Sequence, residues 1–405
     1  MRAISASAAP RAGAAIFVIL VAISSLSPLG INIIVPSLPS LAREFGVDYG
    51  VAQLTLSVFL ASMAVFLILT GPLTDMFGRR PVLFAGLGIF LAATVAAALA
   101  PNISVLIAAR VVQAAGAGAG VVIGRAAVGD LYERERAASM MGYLTMAYGL
   151  SPMLAPLIGG LLEEWRGWRA SFVFLALVGT VVVAVAWRVL PETARSRAAG
   201  GPAPTFFGAL YELARVPAFW AIALTNALAS SVYFTFLGGG AFVSEHHLGL
   251  SPAAYGFYFI LISLGYIGGN WVTGRHAVRV GPMRLVTAGG AIVFVAVLAM
   301  VAAERIGVLV EATFFVPTFF IGFANGLVTP NCVAIGASIR PRLAGTAVGI
   351  AAGLQLGVGA AASTAVALWI ARDQSPFPLV AQMLIVAALT VAGVIIAGRL
   401  LRREA

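Results

Sequence analysis

Arg110-Val-Val-Gln113 places a guanidinium and an amide within an apolar run. A charge at the centre of a bilayer costs roughly 3 kcal/mol or more, so an arginine there is a candidate for function. The blander alternative is a structural arginine that bonds carbonyls inside the bundle. Upstream, Gly71-Pro-Leu-Thr-Asp75-Met-Phe-Gly78-Arg79-Arg80-Pro-Val places an acid, a turn glycine and two arginines between two apolar runs. Gly78 allows a tight turn between helices, and Asp75 can face a helix N-terminus or an arginine. Such a contact suits a latch that forms in one conformation and parts in another. An ordinary basic loop would need only the arginines.

These groups do not form a catalytic set. The apolar runs contain no histidine, no Ser–Lys pair and no paired acids of the kind that acid–base or covalent catalysis requires. His246, His247 and His276 fall in expected loops. The single cysteine, Cys332, excludes an internal disulfide and any multi-cysteine metal site, and reads as inert packing. No metal or cofactor is expected, and no GxxxxGK[ST] loop is present to hold ATP.

The elements that carry these residues follow from composition. Of 405 residues, 61% are hydrophobic and 10% charged, against about 25% charged in soluble domains. So little charge cannot cover a water-facing surface of this size, so lipid is the expected solvent. Runs long enough to cross a bilayer as helices are expected near 14–36, 51–70, 81–100, 103–125, 138–161 and 170–190. Six more follow near 217–242, 253–273, 284–303, 308–331, 343–370 and 376–399. The ten-residue alternation of a membrane barrel is absent, which leaves an all-α integral membrane fold of twelve helices. Arg2 and Arg11 precede the first run, which reads as a retained helix with no convincing cleavage site.

The net charge of +10 comes from arginine alone, since there is no lysine. Nucleic-acid binding is the naive inference, but the arginines cluster between apolar runs. With twelve spans, 19 arginines fall on the side of the termini and five on the other (Arg43, Arg166, Arg169, Arg305 and Arg372), with Arg110 inside a span. The positive-inside rule then puts both termini in the cytoplasm. The longest polar stretch, 191–216, divides a bundle at 1–190 from a second at 217–405. Two such halves about a central site are the layout of a rocking transporter.

GPLTDMFGRRPV resembles the signature of the major facilitator superfamily, carried here by Gly71, Asp75, Gly78, Arg79 and Arg80, with Met76 where a basic residue is usual. GRHAVRVGP at 274–282 is a weaker echo without the aspartate. Arg110, Gln113 and Gly116 resemble a second family motif, whose arginine is associated with proton coupling. Ala155, Pro156, Gly159 and Gly160 resemble the motif that marks exporters, with alanine for a usual glycine. SPLGINIIVPSLPSLAREFGV at 27–47 and RLAGTAVGI at 342–350 add a likeness to the bicyclomycin and chloramphenicol resistance branch. That resemblance implies two pseudo-symmetric six-helix bundles in a bacterial inner membrane, acting as a proton-driven antiporter of small amphipathic drugs.

One departure matters. Where relatives carry an acid in the first span, this chain has Asn32, and an amide carries no proton. The remaining candidates are Asp130, Glu311 or no carboxylate at all. Arg125, a helical turn before Gly129, is a candidate partner for Asp130 or Asp75. Amide and aromatic side chains in apolar spans are the natural lining of a substrate cavity. They are Asn32, Gln113, Tyr143, Asn226, Tyr233, Phe236, Tyr258, Asn325, Asn331 and Gln355. The expected partners are a small-molecule substrate, protons and the lipid bilayer, with the chain acting as a monomer. An importer or facilitator of a metabolite with the same fold is the alternative.

Overall fold

The structure is a computed structural model that describes residues 9–131, 134–190 and 206–404. At Gly71, Asp75, Asp130 and Tyr143 only the helical backbone belongs to the described residues, and positions 191–205 of the expected linker lie outside them. All regular structure among the described residues is helical. The first group comprises α1 (Ala9–Asn32), α2 (Leu38–Phe45), α3 (Tyr49–Phe77), α4 (Arg79–Ala98), α5 (Ile103–Leu131), α6 (Arg134–Arg166) and α7 (Arg169–Val189). A short α8 (Phe206–Ala214) precedes α9 (Pro217–His246), α10 (Pro252–Tyr258), α11 (Ile260–Val280), α12 (Pro282–Arg305), α13 (Glu311–Ile339), α14 (Ala344–Asp373) and α15 (Phe377–Glu404).

Eleven spans among the described residues are long and apolar enough to cross a membrane. The 33-residue α6 lies between two of them. At 1.5 Å per residue it is roughly 50 Å long, enough to cross. Its far end returns to the face of the α2–α3 and α4–α5 connections. There, Trp168 Nε1 donates to Glu44 at 2.7 Å and Arg169 Nη2 donates to the Ala100 carbonyl at 3.1 Å. That face is called distal below; the face where α1 begins and α15 ends is called terminal.

Several boundaries differ from the expected runs. The first span breaks after Asn32, passes through a 3-10 turn at Val35–Ser37 and restarts as α2. Pro36 and Pro39 withhold backbone donors there, and the residue before a proline resists helical geometry. The expected 191–216 linker contains α8, and α11 runs past its apolar run to Val280, so His276 lies on a helix and not in a loop; His246 likewise ends α9. Polar helix ends outside lipid remain helical, because their backbone bonds are satisfied locally.

Neighbours repeat between the two groups. α1 packs on α5, α6 and α7, as α9 packs on α13, α14 and α15; α4 meets α5 and α7, as α12 meets α13 and α15. Two seams join the groups: α3 against α14, and α6 against α10 and α11. These seams exchange under the same repeat. The perimeter exposes large apolar side chains such as Val95, Leu177, Val181, Val295, Leu298 and Leu389, the surface that lipid requires.

Candidate functional site

Arg110 is fully buried on α5, seven residues from its distal start and so roughly 10 Å along the helix. Its Nε donates to the Thr55 carbonyl of α3 at 2.9 Å, and its Nη1 donates to Gln113 Oε1 at 2.6 Å. Gln113 Nε2 donates onward to Thr94 Oγ1 of α4 at 2.7 Å, and Thr94 donates to the Phe90 carbonyl. The guanidinium carbon lies 4.2 Å from the Phe59 ring centroid and 5.8 Å from that of Phe172 on α7. Four helices thus converge on one cation. Carbonyl, amide and ring faces stabilise it, but no carboxylate of a described residue pairs with it, and Nη2 has no partner.

Asn32 ends α1, its Nδ2 bonded to the Pro28 carbonyl at 2.8 Å, and its Oδ1 accepts from Tyr233 of α9 at 2.8 Å. That bond crosses between the two groups. A second crossing joins Gln53 of α3, itself bonded by Ser57, to Ser363 of α14.

The distal seam is close-packed. A methyl group on Gly160 would overlap the Pro252 carbonyl oxygen, and one on Gly256 would overlap that of Pro156. Gly159 packs the same way on Ile33, and Ala155 is fully buried. The motif Ala155, Pro156, Gly159 and Gly160 therefore presses α6 on one side against the α1–α2 turn and on the other against α10. Around it, Glu164 accepts from the Ala253 backbone N–H at 3.1 Å, Arg43 pairs with Glu245, and Tyr49 packs on Phe242 at 5.1 Å between centroids.

The buried interior of the second group is polar without charge among the described residues. Ser230 accepts from Gln355 at 2.7 Å and donates to Asn325 at 3.4 Å, linking α9, α14 and α13. Asn331 clips the Leu327 carbonyl at 2.7 Å and Thr273 of α11 at 3.4 Å. Asn226 is buried, both its polar atoms unpartnered, beside Cys332. Phe236 lies in a cluster with Tyr255, Phe259, Phe314 and Phe315, and Tyr258 stacks on Phe315 at 4.6 Å. These two aromatics therefore read as packing.

On the terminal face, Gly78 turns α3 into α4 at φ +84°, and Gly281 turns α11 into α12 at φ +92°. Only glycine adopts such angles without strain. Arg80 donates to the Trp187 carbonyl at 3.0 Å and lies over the rings of Phe84 and Trp187, while Arg79 begins α4 beside it. Arg125 is exposed on α5. Glu311 is the first residue of α13, at the distal face and far along its helix from the Asn325 cluster. Sequence reading missed Gln53, Thr55, Thr94, Ser230, Ser363 and the Arg43–Glu245 pair. Gln53 and Ser230 carried a usable signal, as polar groups within apolar helices; the ion pair carried none.

The model of the Major Facilitator Superfamily matches residues 20–364. Multidrug resistance protein D of Escherichia coli (strain K12) is 32% identical over 349 residues, covering 85% of this chain and 86% of that protein. A chloramphenicol resistance protein of Pseudomonas aeruginosa is 28% identical over 316 residues, covering 78% and 74%. Matches to uncharacterized transporters of Rickettsia felis and Rickettsia bellii span 63% and 65% of those proteins' lengths. A bacterial homolog of the human lysosomal transporter Spinster, in an inward-facing and occupied conformation, superposes with a TM-score of 0.75 at 16% identity. That match covers 95% of this chain and 96% of that one. With the family model spanning most of its helices, this chain belongs to the Major Facilitator Superfamily.

Proposed function

We propose that the chain exports small amphipathic compounds, antibiotics among them, from a bacterial cytoplasm by alternating access, with proton antiport as the driving force. The terminal face is cytoplasmic in this reading, as the arginine distribution requires, and the two bundles, residues 1–190 and 217–405, are the units that rock. The seam carries the proposal. Gly160 and Gly256 bring the two halves into backbone contact at the distal, outer face, which suits the end of the cycle with the outer side closed. Relatives named for multidrug and chloramphenicol resistance support drugs as the substrate class.

Candidate lining groups are amides, hydroxyls and rings, and Arg110 is the only fully buried charge among the described residues. A cavity so lined favours a neutral or weakly charged lipophilic substrate over a sugar or a strong ion. Protonation would act through the region of Arg110, whose unpartnered Nη2 is a donor available to an anion in another conformation.

One observation favours the second reading, a facilitator or importer: Asn32, in place of an acid, is occupied by Tyr233 and has no proton to exchange. Uptake of drug into inverted membrane vesicles separates the two. Coupled export predicts drug movement that stops when the proton gradient is collapsed. Movement that continues unchanged and follows the drug gradient alone would overturn antiport.

A further inference from the structure

Between α12 and α15 at the terminal face lies an open groove of about 590 Å³. Arg284, in the first turn of α12, and Arg399 and Arg402, in the last turns of α15, stand at its rim, and Met283, Val394 and Gly398 form part of its floor. All three arginines are exposed, and none makes a hydrogen bond or ion pair with a described residue. Several other arginines on this face are engaged. Arg340 and Arg342 pair with Glu212, and Arg215 lies over Tyr211. The backbone N–H groups that open α12 add partial positive charge at the same rim.

The repeat supplies an internal control. The matching α4–α7 corner of the first half is filled, with Trp187 and Phe84 in edge contact at 4.7 Å beneath Arg80. An open corner is therefore a property of the second half and not of the fold. Its outward wall continues into exposed apolar residues of α15, Ile395 at 49% and Ile396 at 51% exposure. The groove is thus charged where lipid phosphates lie and apolar where acyl chains run.

We propose that this groove binds an anionic phospholipid, its phosphate held by Arg284, Arg399 and Arg402 and one acyl chain lying over Met283, Val394 and Gly398. Free phosphate would use the rim and leave the floor empty, and a zwitterionic lipid brings no net charge to three unpaired guanidinium groups. Each arginine near a membrane surface strengthens anionic-lipid binding several-fold, so three give roughly a 100-fold effect.

The test uses the purified full chain in detergent, read by native mass spectrometry and thermal unfolding, with phosphatidylglycerol, phosphatidylcholine and inorganic phosphate added separately. Phosphatidylglycerol alone should remain bound and raise the unfolding temperature. The variant Arg284→Gln/Arg399→Gln/Arg402→Gln should lose roughly 100-fold in affinity. Gly398→Phe, where an added Cβ first meets Met283 Cε at 3.6 Å, should fit the fold, plug the floor and cost tenfold or more with every arginine kept. Arg188→Gln, on the same face outside the groove, should change affinity less than twofold. Wild-type binding by both groove variants overturns the site. Equal binding of phosphatidylcholine, or stabilisation by phosphate as strong as by phosphatidylglycerol, overturns the anionic lipid as ligand. Should the triple variant fail to fold, Gly398→Phe and Arg399→Gln alone decide.

Discussion

The two halves repeat the same helix neighbours but fill their interiors with different chemistry. Around α5 of the first half sits a buried guanidinium, tied to Thr55, Gln113 and Thr94 and faced by Phe59 and Phe172. The buried polar cluster around α13 of the second half is neutral among the described residues: Ser230, Asn325, Gln355, Asn331 and Thr273. A buried cation without a counter-charge is sensitive to any charge that approaches it; a neutral amide network is not. Under the proposed antiport, the contrast predicts that the first half responds to ions and the second contacts the substrate.

The largest effect should come from breaking that asymmetry at its charge. Arg110→Met removes the cation with little change of volume, and we expect gradient-driven efflux to fall at least 100-fold while the protein still folds. Asn325→Leu should instead weaken substrate affinity several-fold and leave the response to the proton gradient intact. If Arg110→Met transports and responds normally, or if both variants lose the gradient response alike, the halves do not divide the work this way.

A second comparison sets contacts between halves against contacts within one. Gly160 meets Pro252 across the seam, whereas Gly322 meets Ile262 inside the second half, both close enough that a Cβ would collide with backbone. Overpacking costs typically 1–3 kcal/mol, but the two sites should show it differently. Gly160→Ala should leave thermal stability nearly unchanged and shift the chain toward the state open on the distal side. Labelling of a cysteine placed at the distal mouth would rise about tenfold or more. Gly322→Ala should lower the unfolding temperature by several degrees with no gain in labelling. Equal behaviour would mean that the seam does not open.

Tyr233→Phe removes one bond across the centre, that to Asn32. A single neutral hydrogen bond is worth about 1 kcal/mol net, so its loss should change the ratio of the two states by roughly fivefold. Asn32→Asp should make that ratio depend on pH, because a carboxylate would replace the amide that Tyr233 now bonds. An Asn32→Asp ratio that stays flat between pH 5 and 8 would remove position 32 from any proton path.

What the sequence could disclose follows from which forces are local. Twelve crossings were legible because lipid forces each backbone polar group to be satisfied within its own helix, leaving long apolar runs. The break after Asn32 was signalled by Pro36 and Pro39 but hidden inside a continuous apolar run. Gln113 was legible as a motif residue and a cavity candidate, but not as the partner of Arg110. Thr55 and Thr94 were not legible at all, since the register of one helix against another leaves no trace in either helix's periodicity. Gly160 stood out in its motif, but Pro252 and Ala253, which it meets, lie far along the chain and carry no matching pattern.

The smallest effect should come from the most visible bond, the ion pair of Arg43 with Glu245 at the distal rim. The two side chains are 58% and 26% exposed, and pairs in such settings contribute about 0.2–1 kcal/mol. The neighbouring glycine contacts set backbone against backbone, so packing and not charge should hold the seam. Arg43→Gln should therefore shift the balance toward the distally open state by at most about fivefold. The shift should shrink further in roughly 0.5 M salt, where screening weakens exposed pairs. Reversing both charges, Arg43→Glu with Glu245→Arg, should recover most of the loss. A distal mouth held open by Arg43→Gln alone, insensitive to salt, would make that pair the lock and the glycines mere spacers.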